Sequence, residues 1–396
     1  MKKLLCILFT FTLLSGCVAH PQLTPSETTL PMNTDTTPAI SNVPDSTETE
    51  PVPLFPQRPM VAVSMPLNIE IAQNGDGNVI FRSTKQSMQL TMRDPDVADK
   101  IILDYLNRVD VHSQAIDAVH DAAEAAYAAD ANWSTYFYDL IFNPTRTDHG
   151  VLSLYGEAVS YSGGNHPQRV CLSANYNMIT GEVLTLGSIL YHIDSKNKLT
   201  ELAVSELRKI AEEKYLLDDY EDIARQRFGR DESFDEDWYF TNEGLCFYFA
   251  PYEIAPYSSG VISIQIPYSS LAGVIDDAFF PAETDLSEGT LHCVAFESAD
   301  MAKFSQITEV NIDPDGQMFF LYTDGVIRNV QINQSIVSDS AYGYTQTYTI
   351  FQTYTLTPGD AIMLKIPTTE NIPALTLSYE GSTQNEITLS SEYFYG

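Results

Sequence analysis

Three side chains stand where chemistry is conceivable: the thiol of Cys17, the imidazole of His166 and the carboxyl of Glu253. Cys17 closes the run Leu14-Ser15-Gly16-Cys17, behind Lys2, Lys3 and the apolar stretch Leu4 to Leu14. A charged start, a short apolar core and small residues before a cleavage point read as a secretory signal peptide over residues 1–16. His166 lies in Tyr161-Ser-Gly-Gly-Asn-His-Pro167. Gly163 and Gly164 permit positive φ and a tight strand-linking loop, and Pro167 holds His166 extended. His166 is either a contact residue at a loop tip or an imidazole hydrogen-bonded to backbone. Glu253 lies in Pro251-Tyr252-Glu253-Ile254-Ala255-Pro256-Tyr257, a stiff segment that presents aromatic faces and one carboxylate. It fits a recognition surface, since Tyr gives contact area at little entropic cost. It equally fits a structural corner in which Tyr hydroxyls and Glu253 cap backbone groups.

Recognisable catalytic constellations do not accompany these groups. Glu253 has no partner carboxylate at a readable spacing, so paired acid–base work cannot be argued. The chain lacks a Gly-x-Ser-x-Gly elbow, a His-Glu-x-x-His pair and a phosphate-binding Gly-Lys loop. His112 and His120 are eight apart with Asp117 and Asp121 nearby, a set that suits an exposed polar helical face better than a metal site. Asp313-Pro-Asp-Gly316 has the flavour of a calcium loop. Its Gly arrives two positions early, and Asp324 occupies the twelfth position where Glu is needed, so a hairpin turn is the stronger reading. The expectation is a non-catalytic chain with no cofactor and no metal.

Composition narrows the partners. The 396 residues carry 21 basic and 53 acidic side chains, a net of −32. Loss of residues 1–16 removes Lys2 and Lys3 and no acid, leaving −34. Such a surface repels nucleic acid and anionic head groups and draws in basic proteins and cations. Beyond Cys17, three cysteines remain: Cys171, Cys246 and Cys293. Cys171 and Cys246 sit in strand-like runs, either as one bridge or as buried free thiols.

The elements that must position these residues follow from pattern. Residues 17–59 read as a tether: positions 18–59 hold nine Pro, eight Thr and three Ser and cannot bury a core. In polyproline geometry the tether reaches on the order of 100 Å. Residues 60–155 read as a small α+β domain. Strands are expected over Val61–Ile71 and from Val79, with a turn at Asn74-Gly75-Asp76-Gly77. Asp94-Pro95 starts a helix with Val97, Ile101, Ile102, Tyr105, Leu106 and Val109 on one face, and an Ala-rich helix runs from Ser113 to Ala129. Residues 156–280 read as a second α+β domain. Its helix runs from Lys198 to Leu217, its strands lie around Trp238, Leu245–Phe249 and Val261–Ile266, and a closing helix spans Ser269–Phe279. Residues 281–396, with Lys303, Arg328 and Lys365 as their basic residues and short Gly-punctuated alternating runs, read as a separately folding, mostly-β domain. The fold class is therefore α+β, two such modules followed by a β-rich region.

Two resemblances add to this reading. Ser15-Gly16-Cys17 resembles a bacterial lipobox, which implies a diacylated Cys17 and a lipid anchor at the outer face of the cytoplasmic membrane, facing the cell wall. The other is carried by Tyr161–Pro167 with Asn175-Tyr-Asn-Met-Ile-Thr-Gly-Glu-Val-Leu-Thr-Leu-Gly-Ser-Ile-Leu190, and by Phe247–Gly260 with Ile266-Pro267-Tyr268. These segments resemble an extracytoplasmic domain of unknown function. That domain forms the outer part of the sigma-V type anti-sigma factor, a lysozyme receptor, and also stands beside the catalytic domain of some peptidoglycan deacetylases. The resemblance covers residues 60–280, and Asn165 stands where that family commonly has Ala. The metal-binding Asp and His motifs of polysaccharide deacetylases are absent. The resemblance implies a binding or sensing module for a basic wall-active protein such as lysozyme, with Gly163, Gly164, His166, Tyr252, Glu253, Pro256 and Tyr257 as ligand-binding or fold-determining residues. The other reading is a peptidoglycan-binding accessory module. The 23 Tyr would stack on sugars, although the more usual Trp numbers only two.

Overall fold

A computed structural model describes residues 60–129, 134–192, 194–229, 237–282, 289–313, 315–337, 345–367, 374–381 and 384–389. The signal peptide, Cys17 and the tether lie outside the described residues. The described residues form one compact unit.

The chain opens with β1 (Ala62–Ser64), β2 (Leu67–Gln73), β3 (Val79–Gln86) and β4 (Gln89–Thr91). The single strand expected over Val61–Ile71 is in fact β1 and β2, because Pro66 has no N–H to continue a ladder. The Asn74–Gly77 turn is present, with Asn74 Oδ1 accepting from the Asp76 and Asn78 N–H groups. Helices α1 (Pro95–Asp110) and α2 (Ser113–Ala129) follow. Asp94 caps α1 by accepting from the Asp96 and Val97 N–H groups, a contact of about 1 kcal/mol. Ile101 and Tyr105 of α1 and Ile116 and Ala123 of α2 are buried, whereas Leu106, expected on the apolar face of α1, is exposed because it falls beside that face rather than on it.

Strands β5 (Tyr136–Thr147), β6 (Val151–Tyr161) and β7 (Gln168–Asn177) complete a five-stranded sheet of order β2-β3-β5-β6-β7. β3 and β5 run parallel, joined through the helix pair; the other neighbours are antiparallel. Even-numbered residues of β5, Tyr138, Leu140 and Phe142, enter the core under α1 and α2. Phe137 and Ile141 are buried on its other face, so β5 is covered on both sides. The boundary expected at 155 falls inside β6 and does not separate two folding units, since β5, β6 and β7 are one meander.

Next come α3 (Leu186–Ile189), α4 (Ser195–Glu213), α5 (Tyr220–Gly229), β8 (Trp238–Phe240), β9 (Gly244–Phe249), β10 (Ile262–Pro267) and α6 (Tyr268–Leu271). Strands β10-β9-β8 form an antiparallel sheet. Leu199, Ala203 and Leu207 of α4 pack with Trp238, Phe247 and Phe249 in a second core. The helix expected over Ser269–Phe279 is one turn only. Gly273 takes φ +67°, and the chain turns so that fully buried Val274 and Ile275 enter that core.

The C-terminal strands are β11 (Leu291–Ala295), β12 (Gln306–Asn311), β13 (Gln317–Thr323), β14 (Ile327–Val337), β15 (Thr345–Leu356), β16 (Asp360–Ile366), β17 (Ala374–Glu380) and β18 (Gln384–Leu389). They form sheets of order β11-β13-β16-β12 and β18-β17-β14-β15-β1-β4, around a shared apolar core. The second sheet corrects the expectation that residues 281–396 fold separately. β1 pairs with β15, Ala62 opposite Thr353, and Met60 and Ala62 enter the C-terminal core. β5 is also tied to β15: Thr349 N–H donates to Asn143 Oδ1, and Thr147 Oγ1 donates to Gln352 Oε1. Asp313–Gly316 is a turn, with Gly316 N–H donating to Asp313 O. It is not a hairpin, because β12 and β13 lie on opposite sides of β16.

Candidate functional site

Two loops meet on the surface. One joins β6 to β7 through Ser162–Pro167; the other joins β9 to β10 through Ala250–Val261. Gly163 and Gly164 take φ +95° and +108°, and a Cβ on Gly163 would lie 2.7 Å from the Tyr136 hydroxyl. Glycine is required there by both conformation and space. The Tyr161 hydroxyl donates to Gly164 O at 3.3 Å. This geometry delivers His166, exposed, against the second loop.

The second loop begins with a turn in which Glu253 N–H donates to Ala250 O. Pro251 takes the second position and Tyr252, at φ +73°, the third. That third position ordinarily calls for Gly or Asn. A bulky side chain held at positive φ costs roughly 1–3 kcal/mol, so the surroundings must hold Tyr252 there. Part of that support is visible: Tyr252 N–H donates to Ala255 O, while Ile254 and Ala255 are buried in the second core.

The rings come together. His166 stacks on Tyr257 with centroids 4.2 Å apart and planes 27° apart. Tyr252 lies 5.4 Å from Tyr257 at 32°. The Tyr257 hydroxyl donates to Pro167 O at 3.1 Å, which ties the loops to each other. Pro256 is half-buried beside Tyr257 and starts the short turn Tyr257–Ser259. Tyr252 keeps 65% of its surface exposed. His166 Nδ1 also lies 3.0 Å from Pro167 O, so its imidazole is hydrogen-bonded to backbone as well as exposed. His166, Tyr252 and half-buried Tyr257 thus form an aromatic platform at the surface.

Glu253 does something else. Its carboxylate accepts from Arg227 Nη1 and from the Ala250 N–H at 3.0 Å, and Arg227 also pairs with Asp237. The Arg227 guanidinium lies over the Phe249 ring, 4.8 Å from its centroid. Partial burial pushes the Glu253 carboxyl above the ordinary glutamate range, against the opposing pull of Arg227 and the Ala250 N–H. Glu253 is therefore a bracket of the corner, and its lone pairs are engaged inward. Arg227 is the partner that sequence reasoning missed: it lies on α5, a helix whose weak apolar periodicity gave no signal.

Other expected candidates resolve as packing. His112 Nδ1 lies 2.6 Å from the Tyr138 hydroxyl, and His120 packs its ring 5.0 Å from Phe81. Among the described residues, no group of three or more His, Cys, Asp and Glu is placed to hold a metal. Cys171, Cys246 and Cys293 are free thiols. Burial raises all three, Cys246 to about 12 and Cys293 to about 11, so they stay protonated at neutral pH.

With the geometry in place, comparison with known proteins gives a family for part of the chain. Residues 190–269 match the family described as Protein of unknown function (DUF3298). These residues are a DUF3298 domain. The match runs from just after α3 into α6, the segment built around the second core. Solved structures similar to this chain include a DUF3298 family member from Bacteroides fragilis, at 19% identity and TM-score 0.40, covering 56% of this chain and 95% of that one. A DUF3298 family protein from Pseudomonas aeruginosa is similar at 18% identity and TM-score 0.39, covering 56% and 97%. No curated protein matches the chain. The DUF3298 domain contributes Tyr252, Glu253 and Tyr257, and the preceding sheet contributes His166, so the platform spans the edge of the matched segment. No described helix is long and apolar enough to cross a membrane.

Proposed function

We propose that this chain is a non-catalytic, lipid-anchored protein of the outer face of the bacterial cytoplasmic membrane. Its His166–Tyr257–Tyr252 platform engages a basic wall-active protein such as lysozyme. The observation that carries this reading is the convergence of the two loops into a surface ring stack, with His166 and Tyr252 exposed, on a strongly acidic chain. Aromatic faces attract Arg and Lys side chains, and each such contact adds about 0.5–2 kcal/mol as it is desolvated. The net charge of −32 steers a basic protein toward the surface. Cys17 would supply the anchor, and the Pro- and Thr-rich residues that follow would supply reach.

The inward engagement of Glu253 supports a binding role over a hydrolytic one, because a general acid must face its substrate. A second reading, binding of peptidoglycan, is favoured by the same flat exposed rings, which can stack on sugar faces. Titrating lysozyme against the full chain at 20 mM and 300 mM salt separates the two. The basic-protein reading expects binding that weakens as salt rises, since exposed charges are screened over about 10 Å at 0.1 M. Binding to isolated cell wall without any lysozyme binding at low salt overturns it. The anchor is tested separately: Cys17→Ser should release the protein to the medium or leave it unprocessed, and a processed variant that still fractionates with membrane contradicts the lipid anchor.

A further inference from the structure

Arg227 stands in the last turn of α5, where a cation suits the carbonyl end of the helix. Its neighbour Phe228 is buried and packs edge-on against Phe247 and Phe249, with ring centroids 5.2 and 6.1 Å away. That contact fixes the end of α5 on β9. The Arg227 side chain is thereby laid over the Phe249 ring, and its planar fork faces two acids at once, Asp237 and Glu253. Asp237 lies just before β8, and Glu253 lies in the loop between β9 and β10. One guanidinium joins a helix, the start of a strand and the platform loop.

Glu253 uses both carboxylate oxygens in this arrangement. Oε1 accepts from Arg227 Nη1, and Oε2 accepts from the Ala250 N–H, across the turn whose third residue is Tyr252. The Glu253 N–H returns to Ala250 O at 3.1 Å. Glu253 closes the turn from both ends, and Arg227 aims Glu253. A tyrosine at φ +73° stays there only where its surroundings over-determine the backbone. Released from the clamp, the turn is free to relax toward negative φ, and that rotation carries the Tyr252 ring away from Tyr257.

We propose that Arg227 is the positioning residue of the aromatic platform. By gripping Asp237 and Glu253 together it holds Tyr252 at positive φ, and so sets the angle at which the exposed ring meets a partner's cationic side chain. Arg227 itself touches no partner. The consequence for recognition rests on the binding role proposed above; the consequence for Tyr252 does not.

The test is a cycle of full-chain variants followed by urea unfolding: Arg227→Met, Tyr252→Gly and both together. Alone, Tyr252→Gly should leave the folding equilibrium unchanged or raise it up to about fivefold, because glycine relieves the strain. With Arg227→Met present the turn is no longer held at positive φ, so the same change should lower the equilibrium about threefold through added backbone freedom. Effects that simply add show that Arg227 does not hold Tyr252, and overturn the proposal. In Arg227→Met the ring-proton resonances of Tyr252 should lose the ring-current shift imposed by Tyr257 and approach those of free tyrosine; unchanged resonances overturn the proposal as well. Arg227→Lys keeps the charge without the planar fork that spans two carboxylates, and should lie between wild type and Arg227→Met in both readouts. The lysine variant decides the matter if Arg227→Met does not fold. Lysozyme affinity at low salt should fall about fivefold in Arg227→Met and partly recover in Arg227→Lys. An Arg227→Met variant that binds lysozyme as wild type does overturns the positioning role. Wild type that fails to bind lysozyme overturns the binding role alone, since the unfolding cycle and the resonances need no ligand.

Discussion

Two clusters in this molecule combine aromatic rings with polar side chains, and they are built to opposite ends. Arg146 is 1% exposed. Its guanidinium donates to Asp148 at 2.7 Å, to the Tyr268 hydroxyl at 2.6 Å and to Phe279 O at 2.6 Å, and it lies over the rings of Phe240 and Tyr268. Burial opposes its charge, yet Asp148 and Tyr268 more than offset that. The contacts are inward, and they bind β5 to α6 and to the end of the second core. The platform of His166, Tyr252 and Tyr257 uses similar chemistry at the surface, its rings packed on one another with His166 and Tyr252 exposed, and it holds Tyr252 in a backbone conformation that costs energy. A satisfied aromatic–polar cluster locks a fold. An exposed one maintained against strain is what the proposed binding role would require.

The comparison is sharpened first at its buried end. Arg146→Met leaves Asp148 without its partner in the interior and should cost about 3–5 kcal/mol in urea unfolding. A loss below about 1 kcal/mol would mean that the cluster is not a lock. The next effect belongs to the bracket under the platform. Glu253→Ala removes two hydrogen bonds and should cost about 1–2 kcal/mol. Glu253→Gln keeps only one acceptor oxygen and turns its NH2 toward a donor, Arg227 or the Ala250 N–H, so it should cost about as much as the alanine variant. A glutamine variant as stable as wild type would show that the corner does not need both acceptors.

The smallest effect is a pH dependence away from both clusters. Burial lowers His112 below the ordinary histidine range, so the unfolded chain binds this proton more readily than the folded one. Stability is then present above the unfolded value near 6.5 and lost as pH falls below it. Wild type should lose stability between pH 7.5 and 5.5, and His112→Gln should lose less. The difference should stay under about 1 kcal/mol, because the ring is half in solvent.

What was legible in the sequence was local. Asp94-Pro95 announced α1 through its own capping chemistry, and Gly163-Gly164 and Pro251 marked the loops because each demands a particular backbone. The partners across the fold were not legible. β1 pairs with nearby β4 on one side but on the other with a strand almost 300 residues later, and a three-residue strand carries no pattern that names such a partner. Arg146 carried no signal in the sequence, although it is a buried cation bonded to three partners. The closing helix failed at Gly273, where two apolar residues gain more by turning inward than by continuing a helix. His166 and Tyr257 were singled out, but their stacking across 91 positions depends on how β7 and β9 are placed.

The central claim is that the platform exists for recognition, and Tyr252→Gly tests it most directly. Glycine accepts the φ of +73° without strain and removes the exposed ring. The account predicts a variant as stable as wild type or up to about 1 kcal/mol more stable, yet with lysozyme affinity reduced about tenfold at low salt. Unchanged affinity, or a clear loss of stability, would contradict it and return Tyr252 to the fold.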